Sequence, residues 1–157
     1  MNSQNIIENA KKWLSPVFDK ATQDEVQNLL DTNMEVLTDS FYKNLEFGTG
    51  GMRGLMGAGI NRINKYTLGK ATQGLTNYLI KQYPKKQCSV AIAYDCRHNS
   101  DTLAKVVADV FTANGIKVFL FEGLRTTPAL SFAVNHLGCD AGIVLTASHN
   151  PPEYNGY

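Results

Sequence analysis

The sequence predicts an α/β fold: a layered α/β/α domain with a mostly parallel mixed sheet and crossover helices, preceded by a helical N-terminal extension. Three observations lead there. From Thr67 onward, helical and strand-like segments alternate with short turns, as strands joined by crossover helices do. The run Gly142-Ile143-Val144-Leu145 stops abruptly at a polar turn, as a buried strand does on reaching a sheet edge. Residues 2 to about 42, by contrast, carry apolar side chains at helical spacing. The expected organisation is a helical extension over 1–42 and an α/β/α domain over 43–157.

In the extension, Ile6, Ile7, Ala10, Trp13 and Leu14 share one helical face, and Ser15-Pro16 ends that helix. Thr22 with Glu25 three residues on reads as a capping box, followed by Val26, Leu29 and Leu30 on the inner face. A short third helix is expected from Glu35 to Tyr42. In the main domain, Thr67 to about Gln82 is a helix with Leu68, Ala71, Leu75 and Leu79 inward. Cys88 to Tyr94 is a strand. Ser100 is expected to cap a helix running to Asn114, with Gly115 as its stop. Ile116 to Phe121 is the next strand. Thr127 is expected to cap a helix with Pro128 at its first position, ending at Gly138. Asp140 to Leu145 is the last strand.

Composition narrows the function. The chain has 157 residues, 43% hydrophobic and 18% charged, as an ordinary globular protein has. A net charge of +1 offers no field for nucleic acid or an acidic membrane. No apolar run approaches the roughly 20 residues that span a bilayer. Met1 to Trp13 has no signal-peptide core, so the cytoplasm is the expected location. Cys88, Cys96 and Cys139 form no C-x-x-C pair, and are expected to be reduced and mostly buried.

Two stretches carry candidate chemistry. Residues 46–59 hold six of the 13 glycines around Arg53. Such a run either cradles a phosphate with backbone N–H groups or serves only turns. Arg53 inclines it to the first, since a guanidinium presents a planar fork to a phosphate. It is neither a Rossmann fingerprint nor a Walker A loop. The second stretch is the set of strand ends: Asp95/Arg97/His98/Asn99, Arg125/Thr126/Thr127 and Thr146/Ser148/His149/Asn150. In a parallel sheet these share the carboxyl edge, where ligands bind. The competing reading is that each set only caps the next helix.

Ser148-His149 is not a catalytic pair by adjacency, because neighbouring side chains on an extended backbone point apart. A G-x-S-x-G elbow is absent, which disfavours a serine hydrolase. A hydroxyl held on a loop stiffened by Pro151-Pro152 is better suited to carrying a group.

Thr146-Ala147-Ser148-His149-Asn150-Pro151, continuing to Tyr154-Asn155-Gly156, resembles the active-site loop of the α-D-phosphohexomutase superfamily. Phe47-Gly48-Thr49-Gly50-Gly51-Met52-Arg53-Gly54 resembles its N-terminal glycine-arginine loop. Asn61-Arg62-Ile63-Asn64 and Ala71-Thr72-Gln73-Gly74-Leu75 resemble the branch of long phosphoglucomutase/phosphomannomutases and phosphopentomutases. The likeness runs from about residue 40 onward.

The resemblance implies a phosphosugar mutase acting between the 1 and 6 positions of a hexose phosphate, or the 1 and 5 positions of a pentose phosphate. Ser148 would be the phosphoserine that gives a phosphoryl group to the sugar and takes one back, through a sugar bisphosphate. A Mg²⁺ would bind at Ser148. Thr49, Arg53, Arg97, Ser148 and His149 would contact substrate, and His149 would be an acid/base candidate. The family's aspartate-rich metal loop, sugar-selecting loop and terminal phosphate-binding domain are not among these 157 residues. The chain then looks like the first of four domains, inactive alone, with an edge that favours self-association. The alternative is a non-catalytic α/β domain that binds a phosphoryl ligand or a partner.

Overall fold

The computed structural model describes residues 3–157. The expected helix start at residue 2 lies outside them. The chain divides into two compact units, Met1–Asn64 and Lys65–Tyr157.

The first unit holds helices α1 (Ser3–Lys12), α2 (Lys20–Thr32) and α3 (Met34–Phe41) and the short strand β1 (Arg53–Leu55). The helices form because each has one apolar stripe to bury: Ile6 and Ala10, then Val26, then Leu37 and Phe41 are all buried. Trp13 joins them, stacked on Phe18 at 4.5 Å between ring centroids and edge-on to Phe41 at 5.6 Å. The expected cap of α2 is corrected. Asp19, not Thr22, is the N-cap, and it accepts from both the Thr22 N–H and the Thr22 hydroxyl. A carboxylate is the stronger acceptor for a free helix N–H, so the residue three positions upstream takes the role. Glu25 is consequently free of a capping box and accepts from the Ala58 N–H at 2.8 Å. Past α3 the chain turns back tightly. Gly59 has φ +130°, and a Cβ there would lie 2.5 Å from the Ser40 carbonyl oxygen. Arg62, buried, closes the turn with an ion pair to Asp39 at 2.7 Å.

The second unit is α/β. Helix α4 (Lys65–Gln82) leads to β2 (Ser89–Tyr94), α5 (Ser100–Ala113), β3 (Lys117–Leu120), α6 (Thr127–Leu137), β4 (Ala141–Leu145) and β5 (Tyr154–Gly156). Strands β2, β3 and β4 make a parallel sheet in the order β3-β2-β4. The chain therefore moves outward from β2 to β3, then back across β2 to β4. Right-handed crossovers in opposite directions put α5 and α6 on opposite faces, which creates the layers. Central β2 is covered on both sides, and Val90 to Ala93 are each 0% exposed. Ala91 and Ala93 pack against Leu130 of α6, with Val134, Phe121 and Val144 around them. Helix α4 lies on α5, where Gln73 and Asn114 exchange two amide hydrogen bonds. The buried stripe of α4 is Leu68, Thr72, Thr76 and Leu79, whereas Ala71 and Leu75 are only half-buried.

Two more caps differ from expectation. Helix α5 starts after Asn99, in the left-handed region at φ 61°, with no side-chain cap bond. Helix α6 starts after Thr126, also uncapped by its side chain, and ends at left-handed Gly138 as expected. Ser100 is instead buried and turned toward the loops of the sheet edge. The cysteines also differ: Cys88 is buried, Cys139 intermediate and Cys96 exposed, because Cys96 falls in the loop after β2 rather than in the strand. All three are free thiols.

The opposite edge of this sheet is fastened by Asp140, which accepts from Lys86 and from the Ser89 N–H. The Lys86 hydrogen bond, helped by the Ser89 N–H, holds the Asp140 carboxyl below its ordinary range. A lowered folded-state value stabilises the fold above the unfolded carboxylate range, and that contribution disappears as pH falls through the folded value. Between about pH 5 and about pH 2, the wild type should therefore lose stability that Asp140→Asn does not. Urea titrations at stepped pH measure this, and parallel curves for the two proteins would refute it.

Candidate active site

The carboxyl ends of β2 and β4 are adjacent because Tyr94 pairs with Leu145 in register. The ladder continues one step, with the Asp95 N–H donating to the Leu145 carbonyl at 3.1 Å. Asp95 and Thr146 then leave the sheet side by side. The Thr146 hydroxyl donates to Asp95 Oδ2 at 2.5 Å. Asp95 Oδ1 accepts from the Arg97 N–H and from the Ser100 hydroxyl. Asn155, fully buried, donates to the His98 carbonyl and to Ser100 Oγ. Buried polar groups are expected to be hydrogen-bonded in this way. The capping alternative for Asp95 thus gives way: its carboxylate ties two loops together.

The serine loop hangs from this junction. The Ser148 N–H donates to Thr146 Oγ1 at 3.0 Å, and the Asn150 N–H donates to the Ala147 carbonyl. Ala147 is buried, whereas Ser148 and His149 are exposed. Ser148 adopts φ 56°, the left-handed region that a non-glycine residue enters only when its surroundings enforce it. This changes the expectation from extended geometry. The bent backbone brings Ser148 Oγ within 3.3 Å of His149 Nδ1. An open cavity of about 320 Å³ lies beside them, lined by Asp95, Cys96, Arg97, His98, Ser148, Asn150 and Pro152.

Arg97, which the family resemblance grouped with substrate contacts, lies in this junction with its side chain 11% exposed. Its guanidinium donates to the carbonyls of Ser148, Asn150, Pro151 and Tyr154. Sequence reasoning could not find this role, since the acceptors are main-chain atoms more than 50 residues away.

Thr49 and Arg53 belong to the other unit. Gly48 and Gly51 bond each other across a tight turn, with Thr49 and Gly50 at its tip. Gly51 has φ 101°, so the glycine run does serve a turn here. Arg53 is exposed, and its guanidinium lies over Gly50, 3.3 Å from where a Cβ would be.

A comparison with protein families matches residues 44–157 to the phosphoglucomutase/phosphomannomutase alpha/beta/alpha domain I. The chain belongs to the phosphoglucomutase/phosphomannomutase family. It is 42% identical over 142 residues to a phosphoglucomutase of Staphylococcus epidermidis, covering 82% of this chain and 26% of that protein. It is 40% identical over 154 residues to a phosphopentomutase of Homo sapiens, covering 93% of this chain and 25% of that protein. The crystal structure of a "putative phosphomannomutase" from Thermus thermophilus superposes with a TM-score of 0.66 at 34% identity, over 73% of this chain and 25% of that one. The chain thus spans about a quarter of the length of these relatives. The matched residues include both loops singled out in the sequence. Among the described residues no helix is long and apolar enough to cross a membrane.

Proposed function

We propose that this chain is the phosphoryl-carrying part of a phosphosugar mutase, with Ser148 as the carrier. The observation that supports this most is the Ser148 loop. Its backbone is held at a left-handed angle while its hydroxyl stands exposed beside an open cavity. The first step transfers the phosphoryl group from Ser148 Oγ to a free sugar hydroxyl. The Oγ–P bond breaks, a sugar O–P bond forms, and the proton of the sugar hydroxyl ends on the freed Ser148 Oγ. The second step returns the other phosphoryl group to Oγ after the bisphosphate has turned over. His149 Nδ1, at 3.3 Å from Oγ, is placed to exchange a proton with that oxygen. Positioning and charge stabilisation do most of the work in such transfers. Arg53, exposed and without a hydrogen-bond or ion-pair partner among the described residues, is the guanidinium available to a substrate phosphate.

A Mg²⁺ would supply charge neutralisation but needs several oxygen ligands. Both oxygens of Asp95 are already engaged, and the described residues contain no group of three or more His, Cys, Asp or Glu able to hold a metal. Ser148 would offer one ligand, so the donors here do not make a metal site by themselves.

The test is mass analysis of the protein as its host makes it, with fragmentation to locate any phosphate. One phosphoryl group on Ser148 is expected, and Ser148→Ala should abolish both that group and turnover of glucose 1-phosphate or ribose 1-phosphate. An unphosphorylated serine with undiminished turnover in Ser148→Ala overturns the proposal. The purified 157-residue chain is expected to show no mutase turnover, and robust Mg²⁺-dependent activity would contradict that part.

A further inference from the structure

An arginine recruited for an incoming anion must keep some of its five N–H donors facing outward. Arg97 keeps none. Nη1 donates to the Pro151 carbonyl at 2.9 Å and the Tyr154 carbonyl at 3.0 Å. Nη2 donates to the Ser148 carbonyl at 2.8 Å and the Asn150 carbonyl at 2.7 Å. Nε faces Asp95 Oδ2 at 3.7 Å. We infer that Arg97 is a positioning residue: a clamp that shapes the Ser148 loop and leaves anion recognition to other groups.

The physical need for it is plain. Four carbonyl oxygens within seven residues converge on one point, with their negative dipole ends together. Such convergence requires a cation with several donors at its centre. A planar fork can serve four acceptors at once, whereas a lysine ammonium has three donors at a single point. Ser148 carries a left-handed backbone, and its own carbonyl is one of the four held. The clamp therefore acts on the main chain of the proposed carrier and touches neither its hydroxyl nor His149. Its consequence for catalysis rests on the mutase reading, but its hold on the loop does not.

Hydrogen exchange on the 157-residue chain separates the two. In Arg97→Met, amides within residues 148–156 should exchange about tenfold faster or more, while β2 and α5 keep their protection. Arg97→Lys should be intermediate, and it decides the matter if the methionine variant fails to fold. Exchange in that segment equal to wild type in the lysine variant overturns the clamp. In the protein as its host makes it, Arg97→Lys should lower kcat for glucose 1-phosphate by roughly tenfold and leave KM unchanged. A raised KM with unchanged kcat would assign Arg97 to substrate binding and overturn the inference. If the wild type turns over no sugar phosphate, the mutase reading fails, and the exchange result still judges the clamp.

Discussion

Asp95→Ala is expected to lower the free energy of unfolding by about 3 kcal/mol and to detach the Ser148 loop from the sheet. The carboxylate accepts from the Arg97 N–H, the Ser100 hydroxyl and the Thr146 hydroxyl, and it faces the Arg97 guanidinium. Ser100 is 1% exposed, so its hydroxyl depends on this protein acceptor in the folded chain. Arg97 would be left nearly buried without its counter-charge, and losing one partner of such a pair costs more than the pair contributes. Asp95→Asn keeps the shape and one acceptor oxygen, so its cost should be nearer about 1–2 kcal/mol. Equilibrium denaturation with an unchanged m-value measures both. A cost below about 1 kcal/mol for the alanine variant would mean that the junction is not held through this carboxylate.

Gly59→Ala should be comparably damaging in the other unit, at about 3 kcal/mol. Two effects add. The backbone at φ +130° is one that a side chain rarely adopts, and the new methyl would meet the Ser40 backbone oxygen at 2.5 Å. Backbone cannot step aside as a flexible side chain could. Gly74→Ala is the matched control. It lies inside α4 with nothing within 4 Å of where a Cβ would be, so alanine should stabilise by roughly 0.5–1 kcal/mol through lost chain entropy. Equal effects of the two substitutions would refute the steric argument.

Much of the fold was legible because burial writes itself into sequence. Val90 to Ala93 and Ile143 to Leu145 are apolar runs, and both form strands of the sheet. Ile6, Ala10 and Trp13 repeat at helical spacing, and all are buried. Helix starts were less legible. Thr22 and Ser100 have the chemistry of caps, but Asp19 outcompetes one and Asp95 engages the other. Propensity sees only neighbours in sequence, and these choices depended on which acceptor lay nearest in space. The serine was found from its motif, yet its left-handed backbone was not, because φ at Ser148 is enforced by partners on a different strand end. Arg97 shows the same limit. A residue that recognises main-chain oxygens leaves no complementary residue type to search for.

The bonds that hold Ser148 in its loop run through its main chain and not through its hydroxyl. The main-chain N–H and carbonyl of Ser148 are engaged, by Thr146 and Arg97, while Oγ meets only His149. Esterifying that oxygen, or freeing it again, would leave every other donor and acceptor in the loop with the partner it already has. If Ser148 carries a phosphoryl group as proposed, these main-chain bonds are the same with the serine loaded or empty. A carrier of the proposed kind would then cycle without refolding its own support at each turn.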